Sequence, residues 1–347
     1  MDNANLLSAL PKVDLHVHLD GCVTPDTLVK LAASQGIPLP AQTESELLPY
    51  VQVGSNCASL TEYLTKFDFV LPFLQTGEAL EQVAFEAVAQ AAEHRIKYIE
   101  VRFAPQLHRA SGLSADDAIR HVLRGLQLGE AHTGVIARAI AICMRNHEPD
   151  VNLEVVRAAA GFAGQGLVAV DLAGDESRYP THLFRDVFAL ARELGLPITI
   201  HAGEASGAHN IEEAVLRLGA SRIGHGVRLK EDGGILNYIR EQRIPLELCP
   251  TSNIQTKAVA GWDVYPIREY YDQGILFTVN TDNPGVSGTN ITKEYRVLAE
   301  KFGFTTREIA EIILNGVDAS FLERDKKAEL KRDFESIFAE MGLYEIH

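Results

Sequence analysis

Short apolar runs alternate with longer amphipathic stretches along most of the chain. Eight of the runs have the β-branched or apolar character of strands, and they cover Lys12–Leu19, Tyr98–Phe103, Val135–Cys143, Leu167–Leu172, Ile198–His201, Arg222–Gly224, Pro245–Cys249 and Leu276–Asn280. Helical patterns lie between them, at Glu78–Ala92, Ala115–Leu128, Leu153–Ala163, His182–Leu194, Ile211–Leu218 and Gly233–Glu241. This alternation predicts parallel strands joined by crossover helices.

Eight such units predict an α/β fold, namely a (β/α)8 barrel of the TIM type. An open doubly wound sheet is the alternative, but no G-x-G-x-x-G follows a predicted strand and the sequence has no Walker loop. Because no internal repeat or linker-like stretch occurs, we expect residues 1–347 to form one domain. A helical insertion, roughly residues 22–75, separates the first strand from the first crossover helix.

The first predicted strand carries two histidines. Strand alternation over Val13–Gly21 puts Asp14, His16, His18 and Asp20 on one face, opposite a face of Val and Leu. Two imidazoles and two carboxylates are costly to desolvate without compensation, and neutral imidazole is a good zinc ligand. The pattern therefore indicates a metal site. The alternative is a half-exposed strand whose polar face meets solvent.

Later predicted strands end in polar clusters, at residues 171–176, 201–204, 224–226, 250–253 and 281–284. In a barrel these ends meet at one rim, where such enzymes build their active sites. His201 and Asp282 are candidates to complete a zinc site with the first-strand histidines, because a catalytic zinc takes three or four N or O ligands. Glu204 lies near enough along the chain to face a substrate. His225 is a candidate base, with a purely structural histidine as the alternative.

Composition narrows the possible partners. Lys and Arg number 32 and Asp and Glu number 47, so the net charge is −15, which disfavours binding to nucleic acid and to anionic membranes. The four cysteines are far apart, which is typical of a reducing compartment. We see no signal peptide and no apolar stretch of membrane-spanning length. A cytoplasmic protein is therefore expected.

The insertion contains an apolar stripe at helical spacing, formed by Leu60, Tyr63, Leu64 and Phe67. Packing of this stripe onto the barrel is one interpretation. The other is a lid whose apolar face covers a pocket at the rim.

Six motifs, at residues 13–21, 171–174, 201–204, 223–226, 249–253 and 280–282, closely resemble those of the adenosine deaminase family of the amidohydrolase superfamily. The resemblance extends over nearly the whole chain in the same order. Residues 63–68 are also similar to the lid of the nucleoside-specific members.

The resemblance implies zinc-dependent hydrolytic deamination of adenosine and 2′-deoxyadenosine to inosine and 2′-deoxyinosine plus ammonia, in purine salvage. Zinc-bound hydroxide would attack purine C6, Glu204 would protonate N1, and His225 would assist the water proton. Binuclear relatives use a carboxylated lysine at the end of the fourth strand, and no lysine stands there in this sequence. One Zn²⁺ per chain is therefore implied, with the ligands His16, His18, His201 and Asp282.

The same resemblance implies a set of substrate contacts. Gly174 would admit the purine edge, Asp20 would contact the ribose hydroxyls, and an apolar face would cover the sugar. At Asn283 many members carry Asp, but an amide N–H₂ donates to the acceptor N7 without needing protonation. The predicted substrate-binding residues are His18, Asp20, Gly174, Asn283, Leu60 and Phe67.

Two other functions stay open. One is a deaminase of another 6-aminopurine, such as adenine or an aminofutalosine-type nucleoside, although the stripe in the insertion favours a purine nucleoside. The other is a barrel that has lost catalysis and only binds a ligand. The presence of Glu204 beside the predicted metal site argues against it, because a protein that only binds a ligand does not need an acid there. The sequence predicts a small-molecule partner and no oligomeric state.

Overall fold

The structure, a computed structural model, describes residues 3–54, 57 and 60–344. Parallel strands alternate with helices through this part of the chain. The eight strands are Lys12–His18 (β1), Ile96–Phe103 (β2), Ile136–Met144 (β3), Leu167–Ala173 (β4), Thr199–Ala202 (β5), Arg222–His225 (β6), Leu246–Leu248 (β7) and Phe277–Val279 (β8). Each lies within two residues of the bounds predicted from the sequence.

The strands form a closed barrel. Two four-stranded sheets, β1–β4 and β5–β8, follow the chain order. The β4 and β5 strands meet at the Val170–Ile198 pair, and β1 meets the end of β8 at the Val17–Asp282 pair. The His18 N–H donates to the Asp282 carbonyl at 2.7 Å across this second junction. The predicted (β/α)8 architecture is confirmed, and its closure brings the first and last strands together.

The helices surround the strands. They are Asn3–Ala9 (α1), Pro25–Gln35 (α2), Glu44–Val51 (α3), Leu60–Val70 (α4), Gly77–Glu93 (α5), Ala115–Thr133 (α6), Pro149–Gly161 (α7), Arg185–Glu193 (α8), His209–Glu213 (α9), Gly233–Glu241 (α10), Pro250–Gln255 (α11), Ile267–Asp272 (α12), Pro284–Ser287 (α13), Ile291–Phe302 (α14), Thr306–Ala319 (α15) and Arg324–Glu340 (α16). None of them, within the described residues, is long and apolar enough to cross a bilayer.

Local sequence explains where many helices begin and end. Capping boxes open α3, α6 and α15, where a Ser or Thr side chain and an acidic residue three positions later satisfy the free N–H groups. Left-handed glycines terminate α2, α6 and α14. The pattern over 211–218 becomes α9 followed by a π-helical turn at Ala214–Leu218, so it is less regular than predicted.

The insertion between β1 and α5 consists of α2, α3 and α4. Its stripe packs only in part: Tyr63 is buried and Phe67 is partly buried, whereas Leu64 is half exposed. The Tyr63 hydroxyl lies 2.8 Å from Ser287 Oγ on α13, so this face contacts the barrel rim. The side chain of Leu60 lies outside the described residues.

The barrel interior is charged where an apolar core is expected. Glu100 and Arg102 on β2, Arg222 on β6 and Glu247 on β7 are all buried. Arg222 pairs with both carboxylates, and Arg102 Nη2 lies 2.8 Å from Glu247 Oε2. Buried charges need such partners. The network lies directly against the histidines of β1, through a contact between Glu247 and His16.

Candidate metal centre

Three histidines and one aspartate converge at the carboxyl end of the barrel. His16 and His18 come from β1, His201 from β5, and Asp282 follows β8. One ligand atom from each lies within 4.8 Å of all the others. Asp282 Oδ1 is 3.2 Å from His18 Nε2 and 3.4 Å from His16 Nε2, and the Nε2 atoms of His18 and His201 are 3.2 Å apart. These are the four residues that the sequence predicts as metal ligands.

Carboxylates behind two of the histidines set their tautomers. His16 Nδ1 lies 2.8 Å from Glu247 Oε2, and His201 Nδ1 lies 3.0 Å from Asp171 Oδ2. A carboxylate accepts hydrogen bonds, so each Nδ1 carries the proton and each Nε2 presents a lone pair. Such outer carboxylates orient the histidine ligands of metal sites.

This arrangement fits a divalent cation. His16 Nε2 is fully buried and has no hydrogen-bond partner. Lone pairs on His16 and His201 face the carboxylate oxygen of Asp282, so the atoms repel one another unless a positive charge lies between them. For zinc–nitrogen bonds of 2.0–2.1 Å, tetrahedral ligands are roughly 3.3 Å apart, and the measured separations of 3.2–3.4 Å agree with that value.

The electrostatics of His16, His18 and Asp282 favour their metal-binding forms, whereas His201 differs. Burial lowers the pKa of His16 to about 4 and holds the pKa of His18 well below its usual range, so both imidazoles are neutral. Burial acts to raise the pKa of Asp282, but His16 and the other neighbouring histidines hold it well below its usual range. Burial also opposes the charged form of His201, yet Asp171 raises its pKa, so a proton competes with a cation there.

Two residues of the site adopt strained backbone conformations. His225 and Asp282 both have φ of +61°, in the left-handed region that non-glycine residues rarely enter. Such conformations cost about 1–3 kcal/mol and cluster at functional sites. Ser252 Oγ, which donates to Asp282 Oδ2 at 2.6 Å, fixes the carboxylate that this turn presents.

Glu204 and His225 lie side by side next to the cluster. His225 Nε2 is 3.6 Å from Glu204 Oε2. Asn253 Nδ2 donates to His225 Nδ1 at 2.9 Å, and the Tyr265 hydroxyl donates to Asn253 Oδ1 at 2.8 Å. The two bonds orient the imidazole so that neutral His225 carries its proton on Nε2 and presents an N–H beside Glu204.

The remaining predicted contacts lie around the same rim. Asp20 opens a 3₁₀ turn after β1, and burial raises its pKa to about 6. Gly174 follows β4 with φ of +109°, a conformation that side chains disfavour. Asn283 is buried against Gly21, where an added Cβ would lie 2.3 Å from Asn283 Oδ1. Phe67 packs in a small apolar cluster with Val53, Cys57, Tyr63 and Val286.

Asp14 does not join the metal ligands, although strand alternation groups it with them. Its carboxylate binds the Thr281 hydroxyl at 2.7 Å and the Thr281 N–H at 3.3 Å. The pairing of β1 with β2 is irregular between Asp14 and Val17, which breaks the simple alternation.

Sequence reasoning missed Asp171, Glu247 and Arg102 as partners of the ligands. Arg102 bonds Asp171 at 2.9 Å and Glu247 at 2.8 Å, and so links the carboxylates behind His201 and His16. A charged residue within an apolar run is the signal for Glu247, in Leu246–Leu248, whereas Asp171 stands in the motif at 171–174.

Solved structures share this fold. An adenine deaminase from Arthrobacter aurescens has a TM-score of 0.87 and 28% identity, over 95% of this chain and 100% of that one. An amidohydrolase from Burkholderia ambifaria with bound Zn has a TM-score of 0.86 and 25% identity, over 98% of this chain and 93% of that one. An N6-methyl-AMP deaminase from Arabidopsis thaliana has a TM-score of 0.85 and 25% identity, over 97% and 99%. The barrel and its rim are those of an amidohydrolase enzyme.

Sequence comparison narrows this class. A family profile described as adenosine deaminase matches residues 11–336. An adenosine deaminase from Clostridium botulinum (strain 657 / Type Ba4) is 42% identical over 323 residues, covering 93% of this chain and 98% of that protein. One from Enterococcus faecalis is 41% identical over 329 residues, covering 95% and 97%. The chain belongs to the adenosine deaminase family.

Proposed function

We propose that the protein hydrolyses adenosine and 2′-deoxyadenosine to inosine and 2′-deoxyinosine plus ammonia, with one zinc ion per chain. The observation that carries the proposal is the cluster of three histidines and one aspartate, with the Glu204–His225 pair beside it. Relatives named adenosine deaminase, at about 40% identity over most of the chain, support the choice of substrate.

The proposed zinc ligands are His16, His18, His201 and Asp282. Zinc is a Lewis acid that makes water a stronger acid near neutral pH. Glu247 and Asp171 keep the Nε2 lone pairs of His16 and His201 directed at the ion, through the contacts described above.

Glu204 would carry out the proton transfers, and His225 would orient the attacking water. Glu204, as a carboxyl group, donates its proton to purine N1 while the water oxygen forms a bond to C6. The Nε2–H of His225 holds the water oxygen and steers its protons. Of the two protons of the water, one restores the Glu204 carboxyl and the other leaves with the amino group as ammonia when the bond between C6 and N6 breaks.

The substrate would be held by groups around the rim. The amide of Asn283 donates to N7, Gly174 leaves room for the purine edge, and Asp20 contacts the ribose hydroxyls. On the sugar side, Phe67 belongs to the apolar face of α4, which is fixed to α13 by the contact between Tyr63 and Ser287. A nucleoside is therefore favoured over a free base.

The second candidate is deamination of another 6-aminopurine. The structural similarity to an adenine deaminase, at 28% identity, is the observation that favours it. Turnover of adenosine, 2′-deoxyadenosine, adenine and AMP by the same purified protein separates the candidates. Conversion of adenine without adenosine would overturn the nucleoside assignment.

The roles are tested by chelation, zinc add-back and Glu204→Gln. Chelation should abolish adenosine turnover and zinc should restore it. Because a positioned acid contributes about 10²–10⁴-fold, Glu204→Gln should lower kcat by that factor while zinc content stays the same. The control is Glu154→Gln, which removes a surface partner of Arg109. Turnover that survives chelation, or an unchanged kcat in Glu204→Gln, would contradict the proposal.

A further inference from the structure

The turn after β5 is wrapped around a single buried carboxylate. Glu176, which is 3% exposed, accepts hydrogen bonds from four consecutive backbone N–H groups. They belong to Gly203 at 2.6 Å, Glu204 at 3.1 Å, Ala205 at 2.8 Å and Ser206 at 2.9 Å. Consecutive N–H groups that converge in this way form a nest, which is a site for an anion. Here the protein's own carboxylate fills the nest.

Three carbonyl groups of the turn are also bonded. Arg228 donates from its backbone N–H to the Gly203 carbonyl and from Nε to the Glu204 carbonyl, both at 3.0 Å. Ser177, the neighbour of Glu176, donates to the Ala205 carbonyl at 3.2 Å. Gly203 has φ of +66°, which gives the chain the sharp turn that the nest requires. The backbone that carries Glu204 is therefore held from both sides.

The side chain of Glu204 is held much less firmly than its backbone. Its carboxylate lies 3.6 Å from His225 Nε2, which is longer than a hydrogen bond. The side chain keeps 23% of its surface exposed, since it faces the open rim. How far the Glu204 carboxyl group reaches toward a substrate therefore depends on the position of the Glu204 backbone, which Glu176 holds in place.

We propose that Glu176 is a positioning residue for the reaction: its carboxylate clamps the turn at 203–206 and so sets the position from which Glu204 reaches the substrate. The proposal rests on the proposed function, because it needs Glu204 to be the proton donor. It assigns a role to Glu176, which lies in the polar cluster after β4 (residues 171–176) and is not among the site residues predicted from the sequence.

The variant that tests this role is Glu176→Gln. The amide keeps one acceptor oxygen and turns an N–H₂ toward backbone N–H groups, so the clamp loosens while the side-chain volume stays the same. Misplacing a reacting group by about 1 Å can cost up to about 10²-fold in rate, so we expect kcat to fall about 10–100-fold with KM and zinc content nearly unchanged. Amide hydrogen exchange in residues 203–206 should become faster.

The matched control is Glu130→Gln. Glu130 also accepts a hydrogen bond from a backbone group, the Ala137 N–H at 3.2 Å, and it forms an ion pair with Arg138. It lies near the start of β3, at the opposite end of the barrel from the rim. This control should leave kcat and the exchange of residues 203–206 unchanged.

A double-mutant cycle separates positioning from general structural support. If Glu176 acts through Glu204, Glu176→Gln should cause no further loss of kcat in a Glu204→Gln background. The same fold-loss in both backgrounds would overturn the proposal, and so would an unchanged kcat despite faster exchange. If Glu176→Gln does not fold, Glu176→Asp keeps the charge and shortens the reach, and the same cycle applies.

Failure of the proposed function gives a different result. If wild-type protein does not deaminate adenosine, or Glu204→Gln retains full kcat, the positioning role is overturned together with the acid role. Exchange at residues 203–206 would then show whether the clamp exists independently of catalysis.

Discussion

The buried carboxylate of Glu247 connects the stability of the barrel to the candidate metal centre, which makes Glu247→Gln an informative perturbation. The carboxylate accepts bonds from His16 Nδ1 at 2.8 Å, Arg102 Nη2 at 2.8 Å, Arg222 Nε at 2.7 Å and Thr199 Oγ1 at 2.9 Å. All of these groups are buried. An amide carries no charge and has one acceptor oxygen for these donors, so the substitution leaves buried N–H groups unpaired.

The expected loss of stability is large. Removing one partner from a buried ion pair costs about 3–5 kcal/mol, because the remaining charge stays uncompensated. Glu247 has two such partners, Arg102 and Arg222, whose positive charges hold its pKa well below the usual range although burial acts to raise it. We expect the free energy of unfolding of metal-free Glu247→Gln, measured by urea titration, to fall by at least about 3 kcal/mol.

The same change should weaken metal binding. Where the amide N–H₂ replaces Oε2, His16 Nδ1 faces a donor and its proton moves to Nε2, the atom that would bind the ion. Loss of such an outer partner typically costs about 10–100-fold in metal affinity. Competition with a chelator of known affinity measures this for zinc.

The control for both measurements is Glu154→Gln, whose surface ion pair with Arg109 at 2.9 Å should contribute about 0–1 kcal/mol. If Glu247→Gln unfolds at the same urea concentration as the control, the buried network does not stabilise the barrel as argued. If it is destabilised but binds zinc as tightly as wild type, Glu247 does not orient His16.

Two further predictions concern the pH dependence of stability and the purine contact. Burial raises the pKa of Glu294 from 4.5 to about 7. Between these two values the folded protein keeps a proton that the unfolded protein releases. The contribution of Glu294 to the free energy of unfolding therefore falls as pH rises from about 4.5 to about 7, by roughly 3 kcal/mol. Glu294→Gln, which can keep bonds to Thr251 and Thr289, should therefore gain stability relative to wild type over that range in urea titrations, and a constant difference would refute the assignment. Asn283→Ala should lower kcat/KM for adenosine by about fivefold or more, the cost of one hydrogen bond; its side chain caps no helix, so an unchanged kcat/KM would remove Asn283 from the site.

The sequence by itself determined the fold and the family. Alternation of strand and helix patterns placed all eight strands to within two residues, because the local periodicity of apolar residues indicates each element. Motifs at the strand ends then identified the family and the four residues that converge as a cluster, since the ends of parallel strands meet at one rim. His16 and His18 lie on the same strand, so their proximity follows from the local sequence alone.

Only the tertiary structure decided what holds those residues in place. Glu247 and His16 are 231 positions apart, and the contact between them depends on closure of the barrel. Arg102 links the carboxylates behind two of the proposed ligands, and Glu176 bonds the turn of Glu204; no local pattern specifies either contact. Pairings across strands depend on register and on which side chains share the interior, and local periodicity encodes neither. The irregular pairing between Asp14 and Val17, which breaks the simple alternation along β1, has the same origin.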